Sequence, residues 1–226
     1  SQVDGMTALH WACYHDETEL AERLIDLGAN VNARNRYGIS PLYLACLNGN
    51  ESIVERLLSE GVDPNTAING GELALMTAAR TGNMDTVRAL IKAGADLDAT
   101  ERKGQTAIMW ASHEVHAAVV KLLLESGADY ETPLESGYTP FLFAVREGHR
   151  DIVYSFLDAG VDINLVTDPK RRGKKSPVAG TSPLLLAVEN GHYDLAVELL
   201  ERGASPDDMS TGATVLHTAT RYSNST

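Results

Sequence analysis

Apolar residues recur along the chain with the spacing of amphipathic helices. In four segments they occupy positions i, i+1, i+4 and i+5, namely Ile53/Val54/Leu57/Leu58, Val119/Val120/Leu123/Leu124, Ile152/Val153/Phe156/Leu157 and Leu195/Ala196/Leu199/Leu200. This spacing places the apolar side chains on one stripe of a helix and leaves the opposite side polar. The pattern therefore predicts a series of similar helices, none of which can bury its stripe without a neighbouring element.

The glycines show that these helices belong to repeated units. Nearly all of the glycines fall into three series with a common period. Up to Gly148, neighbouring glycines of one series are 33 residues or twice that apart, and ten extra residues are inserted before Gly180. Three series account for all but two of the 19 glycines: Gly5, Gly38, Gly71, Gly104, Gly137, Gly180 and Gly212; Gly28, Gly61, Gly94, Gly127, Gly160 and Gly203; and Gly49, Gly82, Gly148 and Gly191. A fixed period of this length is the signature of a repeat protein.

Each period has the same internal order. A hydroxyl residue, which caps a helix by accepting a hydrogen bond from a free amide, follows the first glycine by two positions. It is Thr7, Ser40, Thr106, Thr139, Ser182 or Thr214. Proline or alanine comes next and suits a first helical turn. A short helix is predicted to run to the third glycine series, and the amphipathic helix then ends at the second series, where a left-handed residue is expected.

These features resemble the ankyrin repeat. The resemblance rests on "GMTALHWAC", "GISPLYLAC", "GYTPFLFAV" and "GTSPLLLAV", followed by "GANVN", "GVDPN", "GADLD" and "GVDIN". It implies an all-α solenoid of stacked helix–turn–helix units, joined by β-hairpin fingers, with the short helices and fingers lining a concave face. We expect one array over residues 1–226, with repeats at about 4–36, 37–69, 70–102, 103–135, 136–165 and 179–210, part of a seventh at 211–226, and an insertion loop at 166–178.

Two repeats depart from the common pattern. Leu73 and Ala74 stand where the third repeat should have its capping hydroxyl and its proline, so this helix is predicted to lack a side-chain cap. Val115 replaces the glycine of the fourth repeat. Because a β-branched residue resists a positive φ, the turn at Val115 is predicted to follow a different path. The middle of the array should then be its least regular part.

Composition and cysteine content narrow the class of protein. The chain is 43% hydrophobic and 22% charged, as in ordinary globular proteins, and no apolar run reaches the roughly 20 residues of a membrane span. A net charge of −12 argues against general binding to nucleic acids. Cys13 and Cys46 occupy the same position in adjacent repeats, too far apart for a disulfide, and are interpreted as small buried residues. Unpaired cysteines favour a reducing cytoplasm; the repeats are also similar to bacterial ankyrin proteins, some of which are exported.

The sequence offers no candidate catalytic residue, metal site or cofactor. It contains no phosphate-binding loop, no dinucleotide fingerprint, no nucleophile elbow and no zinc-protease motif. The string "HEVH" at 113–116 has the wrong spacing for that motif and no third ligand nearby in the sequence. The resemblance assigns structural roles to five of the seven histidines: His10 and His217 brace turns between repeats, and His116, His149 and His192 follow the turn between helices.

The predicted binding surface follows from the resemblance. Ankyrin repeats usually hold partners with finger residues that flank the first glycine and with exposed positions late in the short helix. In this chain these positions include Tyr14, Arg34, Arg36, Tyr37, Arg80, Arg102, Lys103, His113, Tyr138 and Arg146. With Arg221, seven of the 19 basic residues lie at such positions, against six of the 31 acidic ones. The acidic residues are therefore concentrated away from the predicted binding surface. The plain structural alternative is that the outer helices are simply solvated and rich in glutamate, and that the predicted binding surface is neutral by accident.

The insertion adds a second basic segment, "LVTDPKRRGKKSPVAG". Its charge comes from Lys170, Arg171, Arg172, Lys174 and Lys175. A run of this kind fits a solvated loop, a nuclear-localisation-like patch, a phosphate contact or a docking finger. Its prolines and glycine argue against regular structure.

The sequence thus predicts a monomeric, non-catalytic protein-interaction module whose partner is an acidic or extended protein segment, without membrane insertion. One alternative is the binding of a polyanion such as nucleic acid through the fingers and the basic loop, which would show a steep salt dependence. Another is that the chain is a targeting or regulatory segment of a larger protein. The seventh repeat stops after one helix, where a polar cap is expected in a repeat array.

Overall fold

The computed structural model describes residues 4–168 and 178–206. Over this part of the chain there are twelve α-helices and no β-strand. They are α1 (Ala8–Tyr14), α2 (Thr18–Asp26), α3 (Pro41–Asn48), α4 (Glu51–Ser59), α5 (Ala74–Thr81), α6 (Met84–Lys92), α7 (Ala107–His113), α8 (Ala117–Glu125), α9 (Pro140–Glu147), α10 (Arg150–Asp158), α11 (Pro183–Glu189) and α12 (Tyr193–Glu201). The all-α solenoid class is confirmed. The β-hairpin form of the fingers is not seen in the described residues, where tight turns make these connections.

The helices form two compact units. The first, Ser1–Ala128, contains α1 to α8, and the second, Asp129–Thr226, contains α9 to α12. In the first unit the inner helices α1, α3, α5 and α7 pack side by side, and each also packs against the outer helix that follows it. The second unit repeats this arrangement with α9 to α12. Stacking of this kind buries the apolar stripes that no single helix pair can bury alone.

Most of the predicted helix caps are present. The side-chain oxygen accepts a hydrogen bond from the amide three residues later at Thr7, Ser40, Thr139 and Ser182. Leu73 has no side-chain cap, as predicted, yet α5 begins at the expected place. The prediction for Thr106 is wrong, because its Oγ1 is buried without a hydrogen-bond partner in the described residues. Both helices start correctly because packing against their neighbours, rather than the cap, fixes where they begin.

The expectation of an irregular turn at Val115 is also wrong. Val115 adopts φ +65°, in the same left-handed region as Gly82 at +77°, and Asp16 at the equivalent position has +62°. The packed helix pair fixes the path of this turn, since the His116 amide donates to the Ala111 carbonyl at 2.9 Å. Val115 is exposed, so its side chain meets no packed neighbour there. Packing of the helix pair therefore outweighs the preference of valine for a negative φ, and the backbone strain at Val115 is retained.

The two cysteines are small core residues, as predicted. Both are completely buried and neither forms a disulfide. Burial raises the pKa of the Cys13 thiol to about 12 and raises that of Cys46 as well. Because the thiolate is the reactive form, both groups are chemically inert in the folded chain.

His10 braces the joint between the first two repeats. Its Nε2 lies 3.0 Å from the Ile39 carbonyl, and its Nδ1 lies 3.2 Å from the Thr7 amide and 2.8 Å from the Thr7 hydroxyl. An amide can only donate, so Nδ1 must accept and Nε2 must carry the proton. The site therefore holds a neutral imidazole, in agreement with the structural role predicted for His10. Burial is the main cause that lowers the pKa of this histidine.

Relieving the backbone strain at Val115 should stabilise the protein. We expect Val115→Asn to raise the free energy of unfolding by about 1 kcal/mol, because asparagine tolerates the left-handed region far better than valine. Denaturant titration of both proteins measures the difference. Val115→Ala is the matched control: it trims the side chain without favouring a positive φ, so it should give a smaller gain. Equal stability of Val115→Asn and the parent would contradict the strain.

Acid should weaken the joint held by His10. The pKa of His10 is lowered from 6.5 in the folded state, so the unfolded chain binds this proton more readily. The free energy of unfolding should therefore be greatest above pH 6.5 and should fall as the pH drops below it. In His10→Asn, stability at neutral pH should be lower and its decline with acid shallower. Thermal melts at matched pH values test this, and identical pH profiles for the two proteins would exclude the effect.

Candidate partner-binding surface

The connections that follow the outer helices α2, α4, α6 and α8 form short hydrogen-bonded turns, which we call finger turns. In the first unit they span residues 35–39, 68–72 and 101–105, and in the second unit residues 134–138. In the first of them the Asn35 amide donates to the Ile39 carbonyl at 3.0 Å, and the Gly38 amide donates to the Asn35 carbonyl at 2.9 Å. The same two bonds recur in the others. The residues before each glycine therefore occupy a fixed, repeated position.

Backbone bonds tie the first finger turn to Asp4 of the first repeat and to the second finger turn. The Arg36 amide donates to the Asp4 carbonyl at 3.0 Å, and the Asn69 amide donates to the Tyr37 carbonyl at 3.0 Å. The Asn69 side-chain amide adds a bond of 3.0 Å to the Arg36 carbonyl. The turn tips thus form a connected edge, which holds the side chains at its tips in place before any partner arrives.

Arg36, Tyr37 and Lys103 are the predicted residues most available at this edge. All three are exposed. The Arg36 guanidinium lies 4.6 Å from the centre of the Tyr37 ring and hydrogen-bonds the Tyr37 hydroxyl. Lys103 makes no ion pair within the described part of the chain. A stacked arginine–tyrosine pair and a solvated ammonium group are suited to contact carboxylates.

Arg34 and Arg102 have a structural task that the sequence did not reveal. Arg34 donates to the Gly38 carbonyl at 3.3 Å and to the Ala67 carbonyl in the next repeat. Arg102 donates to the Asn69 carbonyl in the preceding turn. Both side chains remain exposed, but part of their hydrogen-bonding capacity already ties one finger turn to another. Only the folded arrangement brings these carbonyls within reach.

Arg80 and His113 lie late in the inner helices α5 and α7, as predicted. Arg80 is half-buried, with its guanidinium 5.9 Å from the centre of the Trp110 ring and 3.7 Å from the Glu72 carboxylate. Glu72 also accepts from the Thr77 hydroxyl at 2.7 Å. His113 is exposed, and its ring meets that of Trp110 edge-on at 6.4 Å. The carboxylate of Glu72 therefore partly neutralises the charge of Arg80.

In the second unit Arg146 and Tyr138 act together. The Arg146 guanidinium lies 4.7 Å from the centre of the Tyr138 ring and 4.6 Å from that of Phe143, and it pairs with Glu147 at 2.6 Å. Tyr138 is only 6% exposed, so a partner reaches this place through Arg146 rather than through the phenol. Glu147 is exposed and lowers the positive charge offered here.

An aromatic group on α1 was only partly identified from the sequence. The Trp11 ring stacks on His15 with centres 5.2 Å apart and meets Tyr14 edge-on at 6.0 Å. All three side chains are exposed. Of these three residues, only Tyr14 is among the binding residues predicted from the sequence. The i, i+3, i+4 spacing of three aromatic rings, on the last turn of α1 and its C-cap residue His15, is the signal that could have revealed the group.

The remaining predictions concern the basic loop, metal binding and membrane insertion. The basic residues Lys170, Arg171, Arg172, Lys174 and Lys175 lie outside the described residues, as does Arg221. Within the described ranges no group of three metal-ligating side chains comes together. In the same ranges no helix is long and apolar enough to cross a membrane.

Comparison with known proteins agrees with this geometry. No curated protein matches the sequence. Among solved structures, the ankyrin repeat domain of Bcl-3, described as a unique member of the IkappaB protein family, superposes with a TM-score of 0.81 at 27% identity, over 96% of this chain and 95% of that one. The human ASB11 ankyrin repeat domain gives 0.78 at 22% identity, over 95% of this chain and 92% of that one.

The family assignment rests on the sequence itself. The family described as "Ankyrin repeats (3 copies)" matches residues 1–68, 75–167 and 141–226. Together these matches cover nearly the whole chain, and their periodic glycines, helix pairs and finger turns are those described above. The chain therefore belongs to the ankyrin-repeat family.

Proposed function

We propose that this chain is a non-catalytic module that binds an acidic, extended segment of a partner protein along the finger turns of its first unit. Ankyrin repeat domains are in general protein–protein interaction modules, typically scaffolds without catalysis. The observation that carries the finer proposal is the connected edge of finger turns, with Arg36, Tyr37 and Lys103 exposed on it. In the second unit we assign a corresponding contact to Arg146.

The rigidity of this edge favours binding. Backbone bonds from Arg36 to Asp4 and from Asn69 to Tyr37 fix the tips of the turns, and the side chains of Arg34 and Arg102 reinforce them. A surface that is already ordered loses little conformational entropy when a partner docks. Extended segments can then follow the turns with small backbone changes in the module.

The chemistry of the exposed groups favours carboxylates on the partner. Arginine and tyrosine are the residue types that most often dominate the energy of an interface. The late inner-helix positions of the first unit add Tyr14, Arg80 and His113 as further candidate contacts. The chain as a whole carries −12, so a local excess of basic groups speeds the encounter with an acidic partner and orients it.

The proposal predicts that reversing charge on the finger turns abolishes capture of a partner. Immobilised chain and an Arg36→Glu/Lys103→Glu variant are exposed to cell lysate, and captured proteins are identified by mass spectrometry. We expect a protein with an acidic segment to be held by the parent and lost with the variant by a factor of about 10 or more, because two favourable pairings become repulsive.

The matched control is Arg88→Glu/Lys92→Glu, which makes the same charge change on the exposed side of the outer helix α6. This variant should capture the partner as well as the parent does. Equal loss with both variants would contradict a finger-turn site and indicate general electrostatic attraction. Elution of all bound material by heparin, with nucleic acid as its main component, would favour the polyanion alternative instead.

A further inference from the structure

The three finger turns of the first unit differ in charge at their tips. We call the two central residues of each turn its tip pair, and the tip pairs are Arg36–Tyr37, Asn69–Gly70 and Arg102–Lys103. The first and third pairs present exposed basic groups, whereas the middle pair is uncharged. Because the pairs occupy equivalent positions in successive repeats, the two basic pairs are separated by two repeats.

The acidic side chains of these three turns are engaged within the chain. The Glu101 carboxylate accepts from the backbone amides of Lys103 at 2.9 Å and of Gln105 at 3.2 Å. Glu72 lies 3.7 Å from the Arg80 guanidinium. Both acids are only partly exposed, in contrast to the basic groups at the tips. The charge that these turns present to a partner is therefore mainly positive and comes in two separate groups.

Packing between repeats fixes the distance between the two groups. A Cβ atom added at Gly38 would lie 3.0 Å from the Asn69 amide nitrogen, and one added at Gly71 would lie 3.6 Å from the Arg102 amide nitrogen. Neighbouring turns are therefore in direct contact. The inner helices that follow them, α3, α5 and α7, pack side by side. Since the axes of packed helices lie about 8–10 Å apart, the two basic tip pairs are about 16–20 Å apart.

An extended protein segment matches this distance over six residues. Such a segment advances about 3.3 Å per residue as a strand and about 3.1 Å as a polyproline helix, so one repeat corresponds to about three residues. Its side chains return to the same side every two residues in a strand and every three in a polyproline helix. Positions i and i+6 satisfy both periods and span about 20 Å, whereas i+5 and i+7 satisfy neither.

We propose that the partner segment has acidic residues at positions i and i+6, one over each basic tip pair, and an uncharged residue at i+3 over Asn69–Gly70. This inference rests on the proposed function, because it concerns the same turns, and it adds the spacing that the turns select. An acid at i+3 gains no opposite charge from the middle pair and still loses part of its hydration there. The segment is therefore selected by the spacing of its acids as well as by their number.

Nuclear magnetic resonance of the isotope-labelled full chain, titrated with synthetic peptides, tests this spacing. Each peptide has about twelve residues, long enough to span the turns, with two glutamates three, five, six, seven or nine positions apart and serine or threonine elsewhere. We expect the peptide with i, i+6 spacing to bind at least about threefold more tightly than the others, because only its two acids reach both basic pairs. The largest shifts should be at the amides of Arg36 and Lys103.

A peptide of glutamate alone separates the two hypotheses, because it contains the required spacing in every register. If it fails to shift the finger-turn signals, the proposed function is contradicted and the spacing with it. If it binds while the two-glutamate peptides bind equally well, or not at all, the proposed function stands and the spacing is overturned.

The Gly70→Lys variant tests the register directly. Gly70 does not have a positive φ, and a Cβ atom there would meet only the Ile68 side chain at 3.9 Å, so a side chain fits without strain. The new ammonium group lies at the position equivalent to Lys103. We expect affinity for the i, i+3 peptide to rise at least about threefold, because its second acid now has a partner.

Gly70→Gln is the matched control, since it adds a side chain without charge. It should keep the preference of the parent for i, i+6 spacing. Melting curves establish that both variants are folded. An i, i+3 peptide that gains no affinity from Gly70→Lys, or gains as much from Gly70→Gln, would exclude the proposed register.

Discussion

The structure depends on one constraint: each helix pair has an apolar face that it cannot bury by itself. Neighbouring repeats cover that face, so residues such as Ile53, Val119 and Ile152 disappear from solvent entirely. The joints are then fixed by directional bonds from one repeat to the next. His116 and His192 reach the carbonyls of Arg80 and Arg146 in preceding repeats at 3.0 and 2.8 Å. Burial supplies the stability of the joint, and these bonds fix its register.

The same constraint accounts for the tolerance of irregular residues. A missing cap at Leu73, an unused hydroxyl at Thr106 and a valine at a positive φ would each disfavour an isolated helix pair. Within the array each costs far less than the burial of the joint provides, so the local geometry is unchanged.

The candidate binding surface contains two kinds of basic side chain: those already engaged in contacts within the chain, and those that a partner can contact directly. Arg34 and Arg102 tie finger turns together, Arg80 and Arg146 lie against aromatic rings and acids, and the ammonium group of Lys103 reaches solvent. Exposed basic residues in a repeat array are therefore unequal candidates for binding. A partner has to compete for the engaged guanidinium groups, but it meets Arg36 stacked on Tyr37 and the ammonium of Lys103 directly.

The sequence by itself determined the period, the helix pairs, the finger positions and the burial of both cysteines. Glycine spacing and apolar stripes are local properties of the sequence, and they recur in each repeat. Only the tertiary structure decided that Val115 keeps the common turn, that Thr106 leaves its cap unused and that Tyr138 lies beneath Arg146. These outcomes depend on contacts between side chains of different elements or on competition between packing and local preference, and a pattern read along one chain contains neither.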